Sequence, residues 1–257
     1  MTASPVGDRQ SPVGKGRIAL AHKVPPPSGE YRWVYLWEWP IRAMHWTAAI
    51  ALVVLVVTGL YIGKPYFMTG GEASSHFLMG WVRFLHFAAA GVLVMTAIVR
   101  TYWLVMGNRY ERLVALFPVR PRDWVNLGRM IKFYLMIQPE KAPRYLGHNP
   151  LQQLSYTAIY GLAALMVVTG FAMYGQSNPG GLIYNLTNWI GPVFGGMPVV
   201  RFVHHAGTWL FLTFIPIHVY LAIRADQLER TGVISSIVSG GRFVPAKEKF
   251  VDEEVPS

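Results

Sequence analysis

Four long apolar segments alternate with polar stretches along this chain of 257 residues. The segments cover approximately residues 40–62, 84–106, 151–174 and 202–223. Each is long enough to cross about 30 Å of hydrocarbon as a helix. Because lipid offers no partner to a free backbone N–H or C=O group, such membrane spans are helical. The pattern therefore predicts an all-α integral membrane protein built as a bundle of four transmembrane helices.

Polar sequence flanks the bundle at both ends. Residues 1–32 contain a PPP run and scattered charges but no apolar run of the signal-peptide type. This composition predicts a flexible tail rather than a leader. We place the transmembrane domain at residues 33–224 and a second tail at residues 225–257.

The distribution of charge sets the expected orientation. The net charge is +10, yet only 14% of the residues are charged, against about 25% in a typical soluble domain. Seventeen lysines and arginines lie in the two tails and the central loop at 107–150, whereas the loops on the opposite side contain one, Lys64. Because positively charged loops stay in the cytoplasm, we expect an N-in/C-in protein of the bacterial inner membrane that binds lipid and no nucleic acid.

The central loop contains a further amphipathic segment. Between residues 123 and 136, apolar side chains recur at helical spacing, namely Trp124, Leu127, Ile131, Tyr134 and Leu135. A helix with this pattern typically lies in the plane of the lipid headgroups. We therefore expect an interfacial helix in the cytoplasmic loop.

The candidate chemistry lies in the histidines, because the sequence contains no cysteine. Without cysteine the chain has no thioether-linked haem and no cysteinyl iron–sulfur cluster. Three of the eight histidines lie in the tail or loops and are expected to be solvated or interfacial: His22, His76 and His148. An ionisable side chain at membrane depth is costly and indicates function. The other five lie in the predicted spans: His45, His86, His204, His205 and His218.

The membrane histidines fall on two levels. Helix one enters from the cytoplasm and helix four returns to it, so His45 and His218 lie near the inner face. Helices two and four both begin outside, so His86 lies level with His204 and His205. Two axial imidazoles are what a six-coordinate haem b requires. The pattern predicts two non-covalent haems b, each with two histidine ligands, one near each face.

Helical phase discriminates between the adjacent histidines on helix four. His204 lies 14 residues before His218, which is about 40° from alignment at 100° per residue, whereas His205 falls about 140° away. We therefore expect His204 to be the outer ligand, about 21 Å from the inner level. His205 stays the alternative, because Pro216 just before His218 can kink the helix and alter the phase.

Arginines precede three of these histidines by one helical turn, namely Arg42, Arg83 and Arg201. A guanidinium at this position can hold a haem propionate, or it can extend to the headgroups. Arg100 lies 14 residues after His86 and therefore at the inner level. It is a candidate for a propionate partner, for the lining of a quinone pocket, or for an interfacial residue.

Two short segments near the outer ends of helices one and three are similar. They read VTGLYIG at 57–63 and VTGFAMYG at 168–175. Gly59 and Gly63 form a GxxxG pattern, which permits close approach of helices. The match is too short to indicate an internal repeat.

Several motifs together carry a resemblance to a known family. They are PIRAMHW (40–46), EASSHFLMG (72–80), RFLHF (83–87), RYLGHNP (144–150), and HHAGTW, PIHVYLAIR and VISSIVSG between 204 and 239. In these motifs the chain resembles the cytochrome b subunit of membrane-bound nickel–iron hydrogenases. That family is related to the gamma subunit of respiratory formate dehydrogenase. The resemblance covers approximately residues 32–242.

The resemblance implies an anchor and electron carrier rather than a hydrogen-splitting enzyme. It implies that His45 and His218 bind the inner haem, and that His86 and His204 bind the outer one. It also implies two partners on the outer face, a small subunit with iron–sulfur clusters and a large subunit with the nickel–iron centre. Electrons would pass inward through the haems to menaquinone or ubiquinone.

Two alternatives remain. The chain would serve a formate dehydrogenase or thiosulfate reductase complex as its cytochrome b subunit, or it would be a transporter that relays protons through histidine. Transporters tend to have discontinuous helices and ionisable groups at the midplane. These histidines lie at two levels near opposite faces, which favours a cytochrome.

Overall fold

The computed structural model describes residues 29–67, 70, 76–134 and 143–253. In chain order the elements are β1 (Tyr31–Tyr35), α1 (Trp39–Gly63), α2 (Leu78–Met106), α3 (Leu113–Leu116), α4 (Pro121–Tyr134), α5 (Pro150–Gly175), α6 (Leu182–Thr187), α7 (Ile190–Phe194), α8 (Met197–Glu229), α9 (Val233–Ser239) and β2 (Gly241–Pro245). By length and composition, α1, α2, α5 and α8 are candidate membrane spans. The predicted helical class and its four spans are confirmed.

The two longest helices extend beyond the predicted spans. α2 begins at Leu78 rather than near residue 84, and α8 runs from Met197 to Glu229 rather than from 202 to 223. Hydropathy marks only the part of a helix that suits lipid, whereas backbone hydrogen bonding continues into the polar flanks. α8 also continues through Pro216, which has no N–H to donate to the preceding turn.

The four long helices form a bundle with a defined order. α1 packs along α2, α5 packs along α8, and α1 also contacts α8. The circle closes between α2 and α5, where the rings of Phe87 and Tyr174 lie edge to face with centroids 5.0 Å apart. In the same interface Arg100 Nε donates to Tyr160 Oη at 3.3 Å. This order places α2 and α8 at opposite corners of the bundle.

The start of α5 is fixed by a reciprocal cap. The side chain of Asn149 accepts a hydrogen bond from the Gln152 N–H at 3.0 Å, and the Gln152 side chain accepts one from the Asn149 N–H at 2.9 Å. Pro150 occupies the first turn, where its missing N–H has no helical partner to lose. The direction of α5 into the bundle is therefore set at residue 149.

A small terminal cap covers the end of the bundle where the segments before α1 and after α8 meet. β1 and β2 pair antiparallel, with Tyr31 opposite Pro245 and Tyr35 opposite Gly241. Next to the sheet a buried apolar cluster contains Leu36, Tyr110, Leu146, Val244 and Phe250. The cap thereby joins both ends of the described chain to the loop between α2 and α5.

The segment after α8 is largely ordered into this cap. Arg242, a buried residue of β2, donates to the Leu146 carbonyl at 3.0 Å and to the side chains of Glu229 and Thr231. A buried guanidinium requires such partners, because an unpaired buried charge is strongly destabilising. The ordered domain therefore continues well past residue 224, and β1 begins before residue 33. Residues 1–28 of the predicted tail lie outside the described residues.

Residues at the end of the described chain also form hydrogen bonds with the loop that leads into α5. The Asp252 carboxylate accepts hydrogen bonds from the N–H groups of Leu146 at 2.9 Å and Gly147 at 2.7 Å. Val251 N–H donates to the Arg144 carbonyl at 3.0 Å. His148 follows this loop directly, so these bonds decide where its ring enters the bundle.

The predicted amphipathic segment of the central loop is the helix α4, although its buried face differs from the predicted stripe. Leu127 and Met130 are buried where α4 packs on α5, and Trp124 is exposed. Polar Asn126 is buried as well, because its amide donates to Tyr145 Oη at 2.7 Å. The last predicted positions, residues 135 and 136, lie outside the described residues.

Replacement of Leu146 by alanine tests the stability of the terminal cap. Leu146 is fully buried in the apolar cluster, so we expect Leu146→Ala to lower the free energy of unfolding by about 2–4 kcal/mol through loss of contacts and a residual cavity. The measurement is thermal unfolding of the purified protein in detergent. Val119→Ala is the matched control, because Val119 is exposed and its truncation should change stability by less than about 0.5 kcal/mol. Equal effects of the two substitutions would contradict the packing described here.

Candidate functional site

His45 of α1 and His218 of α8 face one another near the terminal cap. Their ring centroids are 6.5 Å apart and the ring planes are inclined by 48°. Phe214 stacks on His218 with centroids 5.4 Å apart, and Trp46 meets His45 edge on at 5.2 Å. Two imidazoles from different helices thus border the same space.

His86 and His204 lie in the other half of the bundle, and each is held by a threonine of a neighbouring helix. His86 Nδ1 is 2.9 Å from Oγ1 of Thr58 on α1, and His204 Nδ1 is 2.9 Å from Oγ1 of Thr169 on α5. Sequence reasoning did not identify the two threonines, although the VTG motif shared by both helices contains them.

The two histidine pairs lie at separate levels along the bundle axis. On α8, His204 and His218 are 14 residues apart, and on α1, His45 and Thr58 are 13 residues apart. At 1.5 Å per residue these separations are about 21 Å and about 20 Å. Because His45 faces His218 and Thr58 contacts His86, the two estimates describe the same spacing from independent helices.

His205 has a different environment from His204. Its Nε2 accepts a hydrogen bond from Nε1 of Trp209, one turn further along α8, at 3.4 Å. The ring is exposed and its edge lies against α1 at Gly63, where a Cβ atom would be 3.3 Å from Cε1. His204 is less exposed and is held by Thr169 through Nδ1.

The three arginines that precede these histidines are not equivalent. Arg42 donates to the backbone carbonyl of Val238 at the end of α9. Arg83 and Arg201 are exposed at the other end of the bundle, and neither has a hydrogen bond to another described residue. The structure therefore gives Arg42 a contact to the terminal cap and leaves the guanidinium groups of Arg83 and Arg201 accessible.

Arg100 reaches from α2 towards α5 and the terminal cap. In addition to its bond with Tyr160, Nη2 donates to the Glu111 carbonyl at 3.1 Å. Nη1 is buried and has no hydrogen-bond partner within the described part of the chain. The Glu111 carboxylate next to it accepts from Glu38 N–H at 2.5 Å and from Trp103 Nε1 at 2.9 Å. Burial raises the pKa of Glu111 above its usual range, and these bonds oppose the shift.

His148 lies beside Arg100, and its ring is largely enclosed rather than solvated. Its ring lies between Trp37 and Tyr156, with centroids 4.9 Å and 4.8 Å away. Burial, reinforced by the positive charge of Arg100, lowers the pKa of His148 to about 3. Nδ1 of the ring is buried without a hydrogen-bond partner among the described residues. The RYLGHNP motif contained this residue, but its burial depends on the contacts of the terminal cap.

The histidine set fits haem b. Within the described residues no three histidine, cysteine, aspartate or glutamate side chains converge on one point. The candidate histidines instead come as pairs on different helices, and two imidazoles are what a six-coordinate haem b requires from the protein. Where Nδ1 is hydrogen-bonded, as in His86 and His204, Nε2 is left for a metal.

Comparison with known proteins agrees with this donor set. Residues 36–240 match the family model described as prokaryotic cytochrome b561. A protein of Azotobacter chroococcum mcd 1, named "Probable Ni/Fe-hydrogenase B-type cytochrome subunit", is 42% identical over 214 residues, which is 82% of this chain and 88% of the relative. The relative of the same name from Cupriavidus necator is 40% identical over 211 residues, 81% of this chain and 86% of the relative.

A more distant relative comes from Escherichia coli strain K12 and is named "Probable Ni/Fe-hydrogenase 1 B-type cytochrome subunit". It is 34% identical over 215 residues, which is 81% of this chain and 90% of the relative. The matched region contains all four candidate spans and the two histidine pairs. The chain therefore belongs to the prokaryotic cytochrome b561 family, among the B-type cytochrome subunits of Ni/Fe hydrogenases.

Proposed function

We propose that this protein anchors a nickel–iron hydrogenase in the bacterial inner membrane and carries its electrons through two haems b to a quinone. The observation that carries the proposal is the presence of two histidines at each of two levels of one bundle, about 20 Å apart along α1 and α8. His45 and His218 face one another at one level, and threonines hold His86 and His204 at the other. A relative's name attaches that protein to a hydrogenase; hydrogen oxidation itself belongs to the partner subunits.

Histidines hold the iron of the two haems, and arginines hold the propionates. His45 and His218 would hold the haem at the level near the terminal cap, and His86 and His204 would hold the haem at the other level. Haem b supplies reversible one-electron transfer when bound. Arg83 and Arg201, which are exposed one turn from His86 and His204, hold the propionates of the second haem. Arg42 serves the first, in addition to its contact with Val238.

The orientation follows from charge. The terminal cap and the loop between α2 and α5 contain most of the lysines and arginines of the described chain, so we place this end in the cytoplasm. α4 then lies at the cytoplasmic interface with Trp124 exposed to the headgroups. Both termini are cytoplasmic, and the uncharged segment containing α6 and α7 faces outward.

That outward segment is where we place the iron–sulfur partner. Its apolar side chains Leu182, Val193 and Trp189 are exposed, and neighbouring Arg201 adds a positive charge. Electrons that enter here move inward against a membrane potential that is negative inside, which costs about 2.3 kcal/mol per charge for each 100 mV. A low-potential donor such as hydrogen meets this requirement.

Arg100 and His148 form the proposed quinone site near the inner haem. Arg100 Nη1 is a buried donor without a partner among the described residues, and it suits a quinone carbonyl. Nδ1 of His148 is also buried without a partner among the described residues, and a neutral imidazole nitrogen suits the O–H group or the carbonyl of a quinone. Reduction of one quinone takes two electrons and two protons, and the cytoplasmic end of the bundle is where water can supply the protons.

The transporter alternative receives no support from the fold. α1, α2, α5 and α8 are each continuous over their full length, whereas transporter sites are typically formed by broken helices. The relatives described above have names that specify a Ni/Fe hydrogenase rather than a formate dehydrogenase or a thiosulfate reductase. We therefore retain the hydrogenase assignment.

Alanine substitution separates the two adjacent histidines of α8. We expect His204→Ala to lose one of two haems, because it removes an axial ligand, and His205→Ala to keep both, because His205 Nε2 is bonded to Trp209. The measurement is the haem-to-protein ratio of the purified complex by the pyridine haemochrome assay. Loss of one haem in His205→Ala together with full retention in His204→Ala would contradict the assignment.

Single cysteines test the topology without background labelling, because the natural chain contains no cysteine. Lys64 after α1 and Lys249 after β2 are both exposed. In spheroplasts, a membrane-impermeant maleimide should label Lys64→Cys and should label Lys249→Cys only after permeabilisation. The permeabilised sample is the control for reactivity. The reverse pattern would place the terminal cap outside and overturn the proposed orientation.

Substitution of the pocket residues tests the quinone site. Arg100→Met and His148→Phe should leave both haems reducible by hydrogen in the intact complex but slow their reoxidation by quinone about five- to tenfold, since one hydrogen bond is worth about 1–1.5 kcal/mol. The pKa of His148, about 3, keeps the imidazole neutral from pH 6 to 8. The ratio of wild-type to His148→Phe rates should therefore be constant over that range.

The control for this experiment is Arg129→Met, because Arg129 is an exposed arginine of α4 that bonds Asn126. Its haem reoxidation should match that of the wild type. The proposed pocket is wrong if Arg100→Met and His148→Phe also reoxidise at the wild-type rate.

A further inference from the structure

The VTG motif occurs at 57–59 and again at 168–170, and in both places its threonine contacts Nδ1 of a histidine of the outer haem site. Thr58 lies on α1 opposite His86, and Thr169 lies on α5 opposite His204. Both threonines are buried, with 7% and 0% of their surface exposed. The two contacts have equal lengths of 2.9 Å between Nδ1 and Oγ1.

The threonine hydroxyls determine which ring nitrogen carries the proton. Thr58 Oγ1 lies 2.6 Å from the Val54 carbonyl and Thr169 Oγ1 lies 2.7 Å from the Leu165 carbonyl. A carbonyl only accepts, so each hydroxyl proton is donated to its own helix. Towards histidine the hydroxyl can then only accept, which requires the proton on Nδ1 of His86 and of His204. Each ring is thereby held in the tautomer whose Nε2 has a free lone pair.

The glycine that follows each threonine lets the ring come close enough for this bond. A Cβ atom at Gly59 would lie 3.2 Å from Cε1 of His86, and a Cβ atom at Gly170 would lie 3.3 Å from Cε1 of His204. These separations are tighter than ordinary van der Waals contact. The Nδ1–Cε1 edge of each imidazole therefore lies directly against the helix backbone at the glycine.

We infer that Thr58 and Thr169 are positioning residues for the outer haem, which fix the Nδ1–H tautomer and the ring orientation of its two ligands and lower its reduction potential. The inference rests on the proposed function, in which His86 and His204 are the ligands. A hydrogen bond donated by Nδ1–H increases the basicity of the imidazole, and a more basic axial ligand favours oxidised iron.

Among the residues that the structure describes, no threonine hydrogen-bonds a histidine of the inner site, His45 and His218. His45 and His218 are contacted there by Trp46 and Phe214 through ring faces and edges, and neither has a side-chain hydrogen bond to a described residue. The effect of threonine should therefore be confined to one of the two haems.

The test is a redox titration of the haem absorption bands in the intact hydrogenase complex. Thr58→Val and Thr169→Val remove the hydroxyl while preserving branching at Cβ. Each should shift one of the two haem components to a more positive potential, and the double variant should shift the same component further, while the other stays in place. Thr58→Ser and Thr169→Ser keep the hydroxyl and should restore the wild-type titration.

Two matched controls remove a threonine hydroxyl that bonds only a backbone carbonyl of its own helix. Thr157 on α5 donates to the Gln153 carbonyl at 3.0 Å, and Thr96 on α2 donates to the Val92 carbonyl at 2.8 Å. Thr157→Val and Thr96→Val should titrate as the wild type.

The inference is overturned if the valine variants keep both haems at unchanged potentials, or if both components shift equally. It is also overturned if the serine variants behave as the valine variants do, because shape rather than the hydroxyl would then be responsible. Failure of the proposed ligands is distinguishable: His86→Ala and His204→Ala would then retain both haems. If those variants each lose one haem and the threonine variants change nothing, only the role of threonine is wrong.

Discussion

Everything in this bundle depends on keeping polar groups satisfied within hydrocarbon. An imidazole at membrane depth has no water to bond, so it must find a partner on its own or a neighbouring helix, or bind a metal. The histidines of α2 and α8 find such partners on neighbouring helices, and the positions of these contacts along α1 and α8 match. The spacing from His45 to Thr58 on α1 nearly equals that from His204 to His218 on α8. Two neighbouring helices with the same rise per residue therefore keep both histidine levels in register.

The terminal cap satisfies polar groups in the same way at one end of the bundle. It brings the ends of the described chain onto the loop that precedes α5, through Arg242 and Asp252. In doing so it encloses His148 and the end of Arg100, each of which retains one buried polar atom without a described partner. Groups of this kind are expensive as structure and useful as ligand contacts. The cap thus places two such polar atoms at one end of the bundle.

The two histidine sites are built from different contacts. Threonine hydroxyls and helix backbone fix the outer pair, whereas aromatic rings surround the inner pair. Hydrogen bonds to an imidazole fix which ring nitrogen carries the proton and how basic the other nitrogen is. Ring contacts mainly fix the orientation of the imidazole. This asymmetry gives the two proposed haems distinct electronic environments along a single electron path.

The sequence by itself determined the four candidate spans and the separation of the histidines into two levels, with His45 and His218 on the same level. These features follow from local rules, because hydropathy and a rise of about 1.5 Å per residue act within one helix. Only the tertiary structure decided that His148 is enclosed, that Arg42 bonds the end of α9, and that Thr58 and Thr169 contact histidines. Each of these depends on which helix or loop becomes a neighbour, and that choice is made by packing across the whole bundle rather than by any one segment.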